Sequence, residues 1–321
     1  MIKYIFKRVL LMLIALFAIT TMCFMLIRAL PMNPPDGIDA AQEEAIRKIW
    51  EARGYNKPLI EQYGIYLKGI FTEWDFGTSW KIKATEPAWD LLSGKLLPTI
   101  LVNLYSLLFS LPLGLAFGIY AAIKKNKWQD HLISTGVMIF VSVPSYVYAF
   151  LVQYILYFKL DLFPPTISSL ADAGGSWFSW TMFYSMIPAI LALSFGQIAG
   201  LCRFTRAELT ETLTSDYMLL ARTKGLTRSQ ATTRHALKNA MVPILPSILG
   251  SFIGILGGSM IIEQIFSIPG VGQLYVEAVT KRDYDVFMMD SIFYTFISLA
   301  SGIIIDISYG FIDPRIRMGE R

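Results

Sequence analysis

The residues that could carry chemistry are few in this 321-residue chain, and their spacing excludes the commoner hydrolytic centres. The one Gly-Lys pair, Gly94-Lys95, is followed by leucine and lacks the upstream glycine of a G-x-x-x-x-G-K-[ST] loop, so no backbone cradle for an ATP phosphate is encoded there. His131 and His235 are far apart, and neither H-E-x-x-H nor G-x-S-x-G occurs. A membrane hydrolase or metalloprotease therefore has no visible site. A conduit, a carrier or a scaffold is left.

The most informative polar stretch runs from Arg203 to Ala240. Asp216 is placed to cap a helix over Tyr217–Lys224, and Gly225 is the residue type that ends helices in the left-handed conformation. Thr227-x-x-Gln230 then forms a capping box that opens a second helix. The basic residues of this helix-turn-helix admit a DNA-reading interpretation, but a stretch between two membrane spans is a poor place for one. A solvated turn is the plainer alternative. Against it, Leu219, Leu220, Ala221 and Leu226 cluster beside Lys224, an apolar knob of the kind that marks a partner site.

Other polar residues fall inside apolar stretches, where ionisable groups usually face a cavity or a partner. Asn103 and Gln197 are candidates for a pathway lining, with interhelical hydrogen bonding as the alternative. Glu263 and Asp290 read as solvated near the outer interface, and Asp306 as solvated near the inner one. Gly250, Gly254 and Gly258 recur every four residues and read as one face of a helix, as do Gly114 and Gly118; such stripes let backbones approach within one subunit or against a second one.

The elements that must position these residues are membrane spans. Hydrophobic residues make up 54% of the chain and charged residues only 16%, and mean hydropathy is +0.50, too little polar surface for a water-soluble enzyme of this size. Val9–Ile27 is free of charge, and about 20 residues cross a hydrocarbon core of about 30 Å. No small-x-small cleavage site follows it, so it reads as an uncleaved anchor. Further apolar runs at Leu97–Ile123, His131–Phe158, Met182–Cys202, Met241–Phe266 and Met289–Ile312 bring the expected spans to six, in an all-α integral membrane protein. Sixteen Lys and Arg fall in the segments expected inside and three in the short outer connections, which predicts both termini on the cytoplasmic side. The +4 net charge is thus an orientation signal, with no nucleic-acid partner required. Cys23 and Cys202 are expected near opposite membrane faces and out of bridging range.

The chain divides into a start and first span (1–30), an outer segment (31–97) and a core of five spans (98–321). In the outer segment, Ile38–Arg53 and Pro58–Phe71 have helical patterns, and Trp74, Phe76, Trp80 and Trp89 follow. Helices lying on the outer surface against the spans are the plain reading; a dock for an extracytoplasmic partner is the sharper one.

Several ordered stretches resemble the type I ABC-importer permeases, in their oligopeptide, dipeptide and nickel branch. They are Asp216–Leu226 (DYMLLARTKGL), Arg234–Ala240 with Pro243, Asp75–Ser79, Ser142–Tyr146, Ile187–Ala189, Glu263–Gly272, Arg282–Tyr284 and the tail Asp313–Arg317. The resemblance implies a bacterial cytoplasmic-membrane complex of this chain with a second, similar permease, two cytoplasmic ATP-binding subunits and an extracytoplasmic peptide-binding protein. ATP and Mg would belong to the partners, with no cofactor or metal on this chain. The inner helix-turn-helix would be the coupling helix, with Asp216, Leu219, Leu220, Ala221, Lys224, Gly225, Leu226 and His235 toward an ATPase. Asn103, Ser145, Gln197, Gly250, Gly254 and Gly258 are candidates for the translocation pathway. Peptide import is the expected function, with dipeptide or nickel import as the alternative within the branch; an intramembrane enzyme or a signalling scaffold is the alternative outside it.

Overall fold

The structure is a computed structural model and describes residues 2–30 and 40–312. The tail motif Asp313–Arg317, its basic residues and the Ile38 start of the first outer helix lie outside the described residues.

All named elements are helical. α1 (Ile2–Arg28) is followed by the outer-segment helices α2 (Ala40–Ala52) and α3 (Leu59–Glu73). α4 (Ala88–Ile123) starts nine residues before the apolar run, with Pro87 ahead of its first turn. At about 1.5 Å per residue it is about 54 Å long, more than a hydrocarbon core needs, so it links the two ends of the molecule. α7 (Trp180–Leu213) runs parallel beside it, with Ser110 against Gln197 and Gly118 against Thr205. A Cβ at Gly118 would lie 2.6 Å from Thr205 Cβ, and one at Gly114 3.0 Å from Leu201 Cβ, so the small-residue stripe of α4 is where α7 sits closest.

The third apolar run does not cross straight. α5 (Trp128–Ser142) and α6 (Ser145–Gln153), continued by a π-helical stretch Tyr154–Lys159, meet at 99°. The cause is Pro144, which lacks the N–H that would continue the helix and pushes Val143 into extended backbone at ψ 129°. Five other helices are long and apolar enough to cross a membrane, and the bent pair makes six if it is one span.

The fifth apolar run also breaks. α10 (Leu237–Gly254) follows α9 (Arg228–Ala231) and a π-helical turn, then ends in a short 3-10 stretch before Gly258, whose φ is +61°. α11 (Met260–Ile265) starts as a separate helix after that break. Gly250, Gly254 and Gly258 therefore do not share one helix face. Gly250 packs on Ile305, Gly254 faces open space, and Gly258 turns the chain against Glu263 and Thr99.

α12 (Val271–Lys281) and α13 (Tyr284–Ile312) complete the bundle. α1 packs on α13, and near its start Arg8 pairs with Asp306 at 2.9 Å. Asp306 is thus part of an interhelical ion pair. Cys23 and Cys202 are both free thiols.

Candidate functional site

Three places collect the functional candidates. The first is α8 (Asp216–Thr223), at the end of the bundle where α4 finishes and α7 ends. Its N-cap is Ser215, with Asp216 in the first helical turn, a position that still suits the helix dipole. Met218 and Ala221 point inward and join Ala122, Leu209, Ala231, Ala236 and Ala240, with Leu226 packed against the group. Alanines dominate because helix ends must approach closely to hold so short an element. On the other side Leu219 and Leu220 are 65% and 55% exposed, flanked by Tyr217. The run Leu219–Leu226 therefore divides: Ala221 and Leu226 anchor the turn, while Leu219 and Leu220 present it. Asp216, Lys224 and His235 are exposed around them.

Gly225 has φ +90°, a region that residues with a Cβ occupy only with strain, and its Cβ would meet nothing, so conformation and not space selects glycine here. The capping box of Thr227 and Gln230 is fully formed, with Thr227 N–H donating to Gln230 Oε1 at 3.0 Å. The turn is rigid on both sides.

The second place is a cavity of about 280 Å³ between α4, α7 and α10. Gln197 and Ser110 both line it, and Ser110 Oγ donates to Gln197 Oε1 at 2.7 Å. Ser106 adds a 3.3 Å contact to the same oxygen and shares its hydroxyl with Ser194. Gln197 lies midway along α7 and Ser106 midway along α4, so this polar cluster sits at half depth. Gly196, Gly200, Ser247 and Ser251 keep the lining small. Those four were not among the expected pathway residues; Gly196-x-x-x-Gly200 and Ser247-x-x-x-Ser251 are the spacing that marks them. Asn103 instead donates to its own helix, at Thr99 O, 2.8 Å away. Ser145 is exposed at the α5–α6 bend, and Gly250, Gly254 and Gly258 are not among the lining residues.

The third place is at the opposite end, where α13 begins. Glu263 and Asp290, expected to be solvated, are 2% and 0% exposed. Glu263 accepts from Thr99 Oγ1 and from Gln273 N–H, both at 2.9 Å, and so pins α11 and α12 to α4. This explains the glycines of the Glu263–Gly272 stretch, since Gly270 and Gly272 leave room for that carboxylate. Asp283 accepts from Ser79 Oγ at 2.7 Å and from the N–H groups of Trp80, Lys81 and Ile82 at 2.9–3.1 Å, a backbone nest closed on a carboxylate. Asp285 accepts from Arg28 at 3.0 Å, Tyr55 Oη at 2.5 Å and Thr78 N–H at 3.1 Å. Burial, then the neighbouring Asp285 carboxylate, push the Tyr55 phenol well above its ordinary range, so it remains a donor at physiological pH. The outer segment is thereby latched to the first and last long helices. Phe24 stacking on Tyr66 and packing on Tyr63 adds an apolar seam, so α3 lies against α1 as the plain reading has it.

A bundle of long helices with bent and broken members, one rigid apolar knob at one end and a half-depth polar cavity defines the membrane component of an ABC importer. The family described as "Binding-protein-dependent transport system inner membrane component" matches residues 114–318, and the N-terminal family of the same systems matches residues 1–89. The chain belongs to this family of importer permeases. It is 35% identical over 318 residues to the dipeptide transport system permease protein DppB of Lactococcus lactis, covering 99% of this chain and all of that one. It is 32% identical to the oligopeptide transport system permease protein OppB of Haemophilus influenzae and 30% to the glutathione transport system permease protein GsiC of Escherichia coli K12, in each case over 99% of this chain and at least 99% of the relative. A chain of the MetNI methionine ABC transporter, solved in inward facing conformations, shares the fold with TM-score 0.50 at 18% identity, over 70% of this chain and 99% of that one. The type I importer fold expected from the sequence is the fold of this chain.

Proposed function

We propose that this chain is the transmembrane subunit of an ATP-driven importer of peptides, oligopeptides foremost, working with a second homologous permease, two cytoplasmic ATP-binding subunits and an extracytoplasmic peptide-binding protein. ATP and Mg bind the partners and not this chain. The observation that carries the reading is the Leu219–Leu220 surface: two large apolar side chains held outward on a turn whose other face is buried. Burying each in a groove is worth about 1.5–3 kcal/mol, so the pair supplies an apolar anchor for a partner subunit. α8 lies on the cytoplasmic side in this reading, as do both termini, in the bacterial inner membrane. The segment 1–30 anchors, 31–97 faces outward and 98–321 transports.

Closing of the ATP-binding pair would draw α8 toward its counterpart in the second permease. α7 continues from the turn to Gln197 at half depth, so a shift at the turn tilts one wall of the cavity. ATP thus biases a two-state equilibrium of rigid helices. Gly225→Asp is expected to abolish uptake of radiolabelled peptide while leaving the chain in the membrane; normal uptake would count against coupling through α8. Relatives named for dipeptide transport make dipeptides the second reading. Competition of the uptake by unlabelled dipeptides, longer peptides and Ni²⁺ separates these cargoes, and inhibition by Ni²⁺ alone would sink the peptide assignment.

A further inference from the structure

A cavity of about 440 Å³, within the range of small-molecule sites, lies away from the bundle core, between α2, α3 and the end of α1. Two of its lining residues carry buried hydrogen-bonding atoms without a partner: Arg53 Nε and Tyr66 Oη. Tyr66 is only 8% exposed. The other side of the Arg53 guanidinium is occupied, since Nη2 bridges Asp75 at 3.0 Å and Thr78 at 2.5 Å, so the group is held still with Nε–H left over. Burial, then the Asp285 carboxylate, raise the Tyr66 phenol above its ordinary range, which keeps it a donor. Two donors, buried and unmet, are costly in an empty protein; both are closed to solvent as the chain stands, so a ligand meets them by parting the cavity wall.

The charges around them set the ligand. Lys68 is exposed on the cavity wall and Arg28 lines it while bound to Asp285. Asp75 is neutralised by Arg53. Glu73 also lines the wall and is exposed, placed to accept an ammonium. We propose that this cavity binds a carboxylate group, which accepts from Arg53 Nε–H and the Tyr66 hydroxyl beside the Lys68 ammonium. A zwitterion, with its ammonium toward Glu73, fits the mixed lining better than a dianion. The carboxylate belongs either to a free short peptide or to an Asp or Glu side chain of the extracytoplasmic binding protein. The second source rests on the sidedness proposed above; the cavity chemistry does not.

The test uses the assembled transporter in lipid nanodiscs, as wild type, Tyr66→Phe and Arg53→Lys. The first arm measures equilibrium binding of radiolabelled trialanine and of its C-terminal amide without binding protein. The second titrates the peptide-loaded binding protein onto the same nanodiscs. Trialanine that binds, with the amide failing and each variant weakening binding by about fivefold or more, supports the free-peptide source. Unchanged or absent trialanine binding with docking of the binding protein weakened to the same degree supports the protein-borne carboxylate. Neither interaction changing in Tyr66→Phe overturns the site. Tyr66→Phe removes only an unmet hydroxyl, so a purely space-filling Tyr66 predicts equal or greater thermal stability and no change in either binding. Peptide uptake that persists in a variant with lost binding would take this site off the transport path and leave the transport reading standing.

Discussion

The two ends of the molecule differ in what they leave uncovered. Where the outer segment meets α13, carboxylates are buried and every one of the latch contacts is specific: Asp283 takes four donors from Ser79 to Ile82, and Asp285 joins α1, Tyr55 and Thr78. At the α8 end one carboxylate is likewise buried, Asp130 held by Arg206 Nη2 at 2.8 Å, but the seams under α8 are alanines, and large leucines are left in the open. A buried charge with a full set of donors fixes one geometry, because any displacement leaves it unmet. An alanine seam under an apolar knob holds shape but asks for a partner. The first end is made to stay closed, and the second is made to be completed by another protein.

That contrast can be broken most severely at the latch. Asp283→Ala leaves Ser79 Oγ and three N–H groups without their acceptor and is expected to cost about 3 kcal/mol or more, read as a lowered thermal midpoint of the purified chain. An unchanged midpoint would mean that the latch is not what fixes this end. Arg28→Met strips the ion pair from Asp285, only 2% exposed in its side chain, and is expected to cost about 2–3 kcal/mol by the same measurement. ATPase binding by the surviving folded protein should be unaffected in both.

At the other end the expected pattern reverses, with smaller effects on stability and larger ones on association. Gly225→Ala forces a Cβ into φ +90° and is expected to cost about 1–2 kcal/mol, seen as roughly a tenfold weaker association with the ATP-binding subunits in a pull-down titration. Thr227→Ala removes the capping-box acceptor and should cost about 1 kcal/mol at most, a shift of fivefold or less in the same titration. If Thr227→Ala matched Gly225→Ala, the second helix start and not the turn would govern the surface.

Much of this architecture was legible because it follows from local rules. The spans follow from apolar runs, the turn from Gly225, and the capping box from Thr227 and Gln230, each a matter of neighbours in sequence. The breaks were less legible. Pro144 bends one span by 99° while Pro188 sits inside the unbroken α7, since a neighbouring helix decides whether a proline is absorbed. Gly258 has the spacing of a helix stripe, and only the Glu263 carboxylate folded against it shows why the helix had to end. Glu263 reads as solvated from its distance along the span, because burial of a carboxylate depends on donors contributed from far away, here Thr99 and Gln273, while Asp290 is buried with neither oxygen hydrogen-bonded. At the candidate site, the division of Leu219 and Leu220 from Ala221 and Leu226 needed the packing of α8 on α9 and on the π-helical turn that follows it.

The central claim is that Leu219 and Leu220 are the surface on which an ATP-binding subunit docks. The direct measurement is the amount of ATP-binding subunit that co-purifies with the tagged chain when both leucines are replaced, Leu219→Asp with Leu220→Asp, in detergent-solubilised membranes. Association is expected to fall by about 100-fold or more, with the chain at its normal level in the membrane and its thermal midpoint unchanged. Full retention of the ATP-binding subunit by that double variant would contradict the account.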